Sequence, residues 1–390
     1  MPLLEASPDR IAAAARRVMA RCDELARVSA QSGAIERVYL SPEHARVNRL
    51  AAEWMREVGL RTWQDAAGNQ LGRIERSADP DPAAPALMIG SHLDTVKDAG
   101  RFDGIIGALM ALEVVRLLRQ ESDGVSRVPL PFAVEVAAFS DEEGTRFGKA
   151  LLGSSAVAGT WNDAWWTLAD EDGVTLREAF RDFGLDPGRI GEAARRPDHL
   201  VAYLEAHIEQ GPELDRAGEA ALAVERICRS EHHIIGTVGQ LEAFPGAVNV
   251  VPGEAHLSVD LRGELDGERD RVWDEISREL DDIMGRRGLR WQAREVHNAP
   301  AVRCGLLLQD VVREGIVHAA PRRSDEPPVI FSRAGHDAMA IGSITDVGML
   351  FLRTPDGVSH HPDEAVSAAD VALGIRALTE SVLQLAADRL

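Results

Sequence analysis

An α/β sheet domain with a smaller α+β unit inserted into it is the fold this sequence predicts, on two observations. Short apolar runs alternate with helix-period text up to about residue 212 and again from residue 298, the pattern of strands and helices packed in layers. Between them the pattern changes: 234–243 and 254–262 read as strands, 266–286 as a helix and 289–297 as a strand, without strand–helix–strand alternation. The expected organisation is a larger domain of residues 1–223 and 298–390 and an inserted unit of residues 224–297.

Each element has its own warrant. Ile11, Ala15, Val18, Met19 and Leu25 recur at helical spacing in 8–28, and Ala45, Val47, Leu50, Trp54, Met55 and Val58 do so in 42–58. Residues 59–75 alternate around Gly68-Asn69, a hairpin signal. The apolar run 86–90 reads as a buried strand, 107–120 as a helix, and 132–139 as a second buried strand running into Ser140-Asp141-Glu142-Glu143. A polar, tryptophan-bearing stretch, 161–190, precedes the apolar-flanked segment 200–209 and Gln210-Gly211-Pro212, and 368–385 forms a closing helix.

Composition excludes several classes. The formal charge of -20 repels nucleic acid phosphates and anionic membranes, and no basic stripe opposes it, so an anionic substrate would need a local arginine. No apolar run approaches the roughly eighteen residues of a membrane span, and the N-terminal text lacks the pattern of a secretory signal. Cys22, Cys228 and Cys304 are far apart and odd in number, so neither a disulfide framework nor a thiolate zinc site is expected, and a cytoplasmic location is.

The chemistry gathers at the ends of the expected strands. His92 follows the run 86–90, where open α/β sheets place their ligands, and Asp94 is positioned to accept the other imidazole N–H and fix its tautomer. Asp103 precedes a helix, and Glu142 and Glu143 follow a buried strand, where one carboxylate can bind a metal while its neighbour takes a proton from water. His207 ends an apolar-flanked segment, and His360 and His361 lie in a loop before the last helix. Together His92, Asp103, Glu143, His207 and His360 supply nitrogen and carboxylate ligands for two divalent ions, Mn²⁺ or Zn²⁺, sharing a bridging carboxylate. No serine elbow, phosphate loop or dinucleotide glycine pattern occurs in a suitable setting.

Read in order, GSHLDTV with GRFDG, SDEEGTRF, HIEQGP, NVVPGE with DLRG, AGHDAM and GVSHHPDE resemble the dinuclear-metal amidases, among them allantoate amidohydrolase, N-carbamoyl-L-amino-acid hydrolase and β-ureidopropionase. The resemblance runs nearly end to end. It implies a zinc-peptidase-like catalytic domain with a mixed sheet flanked by helices, a lid domain, and a homodimer. It further implies His92, Asp103 and His207 on one metal, Asp103, Glu143 and His360 on the other, Glu142 as general base and Asp94 as the orienter of His92. His360 is preferred to His361 because the matching form is Ser-His-x-Pro. Gln210, Asn249, Arg262 and His336 match substrate-binding positions, with Arg262 forking onto a carboxylate. The segment 96–101 looks more like allantoate amidohydrolases than carbamoylases, so a small anionic ureido acid, allantoate first, is the implied substrate. A catalytically silent metal-binding homologue is the alternative of another class.

One departure stands out. Between Ile227 and Thr237 the family form has a strand, a histidine-bearing turn and a helix that this sequence lacks, so the lid is expected to be shortened. The missing histidine would reach the partner subunit's active site as an oxyanion donor, a loss that typically costs about a hundredfold to a thousandfold in rate. The surviving strands are expected not to share one ladder.

Overall fold

The computed structural model describes residues 7–76, 83–119, 130–216, 222–225, 234–296, 298–320 and 326–388. Cys228, His232 and His233, in the segment that departs from the family form, lie outside them, as do the ends of the expected helix 107–120 and strand 289–297. The chain divides into two compact units, Met1–Ile227 with Val302–Leu390, and Cys228–Ala301, each boundary slightly later than the sequence reading.

The larger unit is built on β1 (Arg61–Gln64), β2 (Gln70–Ile74), β3 (Ala86–His92), β4 (Ala133–Phe139), β5 (Leu200–Ile208) and β6 (Leu222–Glu225). After the inserted unit, whose strands are β7 (Ile234–Thr237), β8 (Leu241–Phe244), β9 (Glu254–Leu257) and β10 (Asp260–Gly263), come β11 (Val329–Ile330) and β12 (Val347–Leu352). The large sheet runs β1-β2-β4-β3-β5-β12-β6-β11. It is mixed: β4, β3, β5 and β12 are mutually parallel, and β1 with β2, β2 with β4 and β12 with β6 are antiparallel.

Every residue of β3, β4 and β12 is buried, which is why these strands read as continuous apolar runs. One face carries Leu87, Ile89, Ala202, Leu204 and Ala206 into a core shared with the helices Pro8–Ala26, Ile105–Arg119, Leu306–Ala319 and Ala368–Ala387. Helix starts follow local chemistry: Ser7, Ser41 and Ser367 each cap a helix with the side-chain oxygen, with proline at the start of the first two. The opposite face carries Met88, Tyr203, Met349 and Phe351 into a second core. Because strand side chains alternate, His92, Glu205 and His207 belong to this second face. The stretch 161–190, read in sequence as polar, forms a third cluster in which Trp161, Trp165, Trp166 and Phe180 pack edge to face.

The smaller unit corrects two expectations. Segments 234–243 and 254–262 are each broken: β7 pairs with β10 and β8 with β9, as two separate two-stranded sheets. The register slips by one between Thr237↔Asp260 and Leu241↔Leu257, so the ribbon bulges at Val238-Gly239-Gln240, where Ser258 Oγ accepts the Gln240 amide at 3.0 Å. Residues 289–296 form no strand, and no strand among the described residues pairs with them. Glu264 is the sole buried residue among those described in this unit, and Leu241 and Leu257, opposite each other on β8 and β9, are 72% and 55% exposed. No helix among the described residues is long and apolar enough to cross a membrane.

Candidate metal centre

His92 ends β3, and His207 stands beside it on β5, two residues beyond the parallel pair Gly90↔Glu205. Both are buried. His207 Nδ1 lies 2.9 Å from the Ile208 carbonyl and His92 Nδ1 3.2 Å from the Asp94 carbonyl. A carbonyl only accepts, so each Nδ1 carries the proton and each Nε2 presents a lone pair. Those two Nε2 atoms are 3.4 Å apart, and Asp103 Oδ1 is 3.2 Å from that of His207. Burial lowers the proton affinity of His207 in spite of Asp103 beside it. Three converging lone pairs of this kind suit a divalent cation.

Asp103 faces both ways. Its other oxygen, Oδ2, is 2.8 Å from His360 Nε2, which is in turn 3.4 Å from Glu143 Oε1. Asp103 reaches this position from the loop before the helix Ile105–Arg119, where Gly104 has φ +64° and a Cβ would come within 2.1 Å of His92 Nε2. Glycine is required there. Burial opposes ionisation of Asp103, yet the His360 hydrogen bond and the charges of His207 and His92 hold its carboxyl well below the usual range. Glu143 goes the other way: burial, then Asp103, push it up to about 8 against the pull of His360. His360 is raised to about 9 by its Asp103 hydrogen bond, burial opposing.

Glu142 lies 3.9 Å from His92 Nε2 through Oε2. Burial, then Glu143, Asp337, Asp94 and Asp103, push its carboxyl well above the usual range. The loop bearing both glutamates is pinned by Asp94, whose Oδ1 accepts the Glu142 amide and Oδ2 the Glu143 amide, both at 3.1 Å. Sequence reasoning gave this carboxylate to the His92 ring. It is 3.6 Å from Nδ1, and the nearer acceptor is the Asp94 backbone carbonyl.

Among the described residues, His92–Asp103–His207, His92–Glu142–Glu143, Asp103–Glu143–His360 and Glu205–His207–His336 each bring three ligand atoms within 4.8 Å of one another. The crowding of acidic groups in this site favours bound positive charge, and imidazole and carboxylate donors suit Zn²⁺ and Mn²⁺ alike. Gln210, at φ +55°, directs Nε2 to both Asp103 oxygens at 3.2 and 3.0 Å and to His360 Nε2 at 3.1 Å. His336 packs edge-on against His207 with ring centroids 4.4 Å apart, its Nε2 2.6 Å from Ser332 Oγ and its buried Nδ1 without a hydrogen-bond partner. Burial, with His207 next, lowers its proton affinity well below the ordinary value.

His361 stays outside: it is exposed, and its Nδ1 accepts the Asp363 amide at 3.2 Å. Asn249 and Arg262 lie in the smaller unit. Asn249 is exposed between β8 and β9, and Arg262, on β10, holds Asp260 Oδ2 through Nε and Nη2 at 3.0 and 2.8 Å. Two buried acids in the centre were missed in sequence. Glu205 accepts the Ser91 hydroxyl and the Ala338 amide at 2.8 and 3.1 Å, and Glu364 accepts the Phe102 and Asp103 amides at 2.8 and 3.1 Å. Glu364 ends the motif that carries His360, and that position was its one visible signal.

The peptidase family M20/M25/M40 matches residues 88–384. An N-carbamoyl-L-amino acid amidohydrolase of Geobacillus stearothermophilus is 34% identical over 413 residues, covering 95% of this chain and 98% of its own. Allantoate deiminase 2 of Glycine max is 32% identical over 420 residues, covering 90% and 86%. Among solved structures, that of AtUAH in complex with glyoxylate aligns with a TM-score of 0.80 and 26% identity, over 97% of this chain and 100% of that one. Imidazoles and carboxylates gathered at strand ends, on a mixed sheet shared with hydrolases of carbon–nitrogen bonds, place the chain in peptidase family M20/M25/M40, as an amidohydrolase of the allantoate and N-carbamoyl-amino-acid group.

Proposed function

We propose that this chain hydrolyses the ureido C–N bond of allantoate, releasing ammonia and carbon dioxide, with two divalent ions, Mn²⁺ or Zn²⁺, in each subunit. The observation that carries the reaction type is the approach of Nε2 of His92 and His207 to 3.4 Å with Asp103 beside them. His92, Asp103 and His207 would hold one ion, and Asp103, Glu143 and His360 the other. When bound, such a pair supplies Lewis acidity that acidifies water and polarises the ureido carbonyl.

This chain's own groups do the rest. Glu142, kept basic by burial and by its acidic neighbours, takes the proton of the attacking water and passes it to the departing nitrogen. Asp94 keeps that carboxylate in reach by fixing the Glu142 and Glu143 amides. Gln210 and His336 offer an amide and an unpaired ring nitrogen to the ureido group. Arg262 exchanges Asp260 for the substrate carboxylate, and Asn249 binds beside it.

The segment 96–101 supports allantoate. A second reading, N-carbamoyl-L-amino-acid hydrolysis, is favoured by relatives of that name at 34% and 31% identity, comparable with the allantoate deiminases. Ammonia release from allantoate, N-carbamoyl amino acids, ureidopropionate and a dipeptide panel, with added Mn²⁺ or Zn²⁺, tests both. Turnover of allantoate above the rest is expected. Preference for a carbamoyl amino acid selects the second reading, and metal uptake without turnover of any substrate identifies a silent homologue.

A further inference from the structure

Glu364 joins two loops that are far apart in the chain. Its Oε1 accepts the backbone amides of Phe102 and Asp103 at 2.8 and 3.1 Å, and its Oε2 is 3.4 Å from Ser359 Oγ. Ser359 immediately precedes His360, and its Oγ is also 3.4 Å from Asp103 Oδ2. The Glu364 side chain is buried against Gly100, where an added Cβ would stand 2.3 Å from Cδ and Oε1. Gly100 leaves room for the carboxylate, and the carboxylate ties the Asp103 loop to the His360 loop. His92 and His207 need no such tie, because they are held on the paired strands β3 and β5.

We propose that Glu364 is the positioning residue for one of the two cation sites: it brings Asp103 and His360 together, and so governs the site of Asp103, Glu143 and His360 more than that of His92, Asp103 and His207. This rests on the dinuclear reading above. Two of the three side chains of the governed site lie on the tied loops. In the other site two of three stand on the sheet. Removal of a group that orients a metal ligand typically weakens metal affinity about 10- to 100-fold.

The test is titration of the metal-stripped full chain with Mn²⁺ by calorimetry, with bound metal counted by elemental analysis. The wild type is expected to take up two ions. Glu364→Ala is expected to weaken one of them about 10- to 100-fold and the other, which shares Asp103, by less. Glu364→Gln keeps an oxygen that accepts both amides and is expected to retain both ions. Gly100→Ala displaces the carboxylate without removing it and is expected to reproduce the Glu364→Ala pattern, which also covers failure of that variant to fold. A purely structural residue would weaken both ions equally or lower only thermal stability. Either result, or two wild-type affinities in Glu364→Ala and Gly100→Ala, overturns the assignment. A wild type that takes up one ion or none overturns the dinuclear reading and this inference with it.

Discussion

Asp94 holds the backbone amides of Glu142 and Glu143 with one carboxylate oxygen each, both at 3.1 Å, while its own carbonyl faces His92 Nδ1 at 3.2 Å. One residue thereby sets the tautomer of a candidate ligand and the position of the candidate base. In Asp94→Asn one oxygen becomes an NH₂ group facing an amide N–H, and the loop must move away. A displacement of about 1 Å at a reacting group costs on the order of a hundredfold in rate. Asp94→Asn is therefore expected to lose about that much kcat while keeping its metal. An unchanged kcat would show that the amide clamp does not position the base.

Glu142→Gln should separate chemistry from metal binding. The amide cannot take a proton from water, and general-base loss costs about 10²- to 10⁴-fold. Elemental analysis is expected to find the wild-type metal content in the variant. Loss of metal along with activity would make Glu142 a ligand.

His360 and His361 are adjacent in sequence and opposite in setting: one is 2.8 Å from Asp103 Oδ2, the other exposed beside Asp363. His360→Ala is expected to bind one ion fewer than the wild type, and His361→Ala the same number. The reverse result would transfer the ligand role.

His44, whose Nε2 is 3.0 Å from Ser140 Oγ, makes stability depend on pH. It is buried, accepts the Leu40 amide at 3.0 Å and stacks on Phe183 at 4.8 Å. Burial, with the Gly68 carbonyl pulling the other way, pushes its pKa down to about 3 from 6.5. The unfolded chain thus binds a proton that the folded one refuses. Stability is lost as pH falls below 6.5, by up to about 1.4 kcal/mol per unit, and the loss ends near pH 3. Urea midpoints measured between pH 7 and 5 should fall less steeply for His44→Gln than for the wild type. Equal slopes would remove His44 from the acid sensitivity.

The smaller unit bears on assembly. The alignment with the Geobacillus relative spans 413 residues, more than the 390 of this chain, so that protein carries residues absent here. In the smaller unit the ribbon is bulged, Leu241 and Leu257 are exposed, and 289–296 forms no strand. Sedimentation is expected to show a weak homodimer or a monomer, and turnover about a hundredfold to a thousandfold below that of the Geobacillus enzyme. A tight dimer with comparable turnover would contradict the shortening.

The ligand-bearing strands were legible because burial on both faces makes β3 and β4 continuous apolar runs, and the reactive groups follow where those runs end. Ligand atoms of His92, Asp103 and His207 come together, as do those of Asp103, Glu143 and His360. What failed was non-local. The alternation in 289–296 resembles a strand, but a strand needs a neighbour, and none pairs with it among the described residues. The tryptophans of 161–190 were hidden among charged residues, and they pack in a cluster with Tyr39, Leu40, Phe147 and Phe180, three of which come from outside that stretch. Glu364 reads as a surface acid until Phe102 and Asp103, 262 and 261 residues away, turn their amides toward it.

The position of β12 in the middle of the large sheet carries a consequence for biosynthesis. Val347–Leu352 separates β5 from β6, and His360 follows eight residues after it, so β5 and β6 each lack a neighbour on that side until it is made. His92, Asp103 and His207 are all synthesised by residue 207, whereas the other trio waits for His360. On the dinuclear reading, one ion has its donors early and the other cannot settle until the loop after β12 has been made, so the two sites are completed in a fixed order.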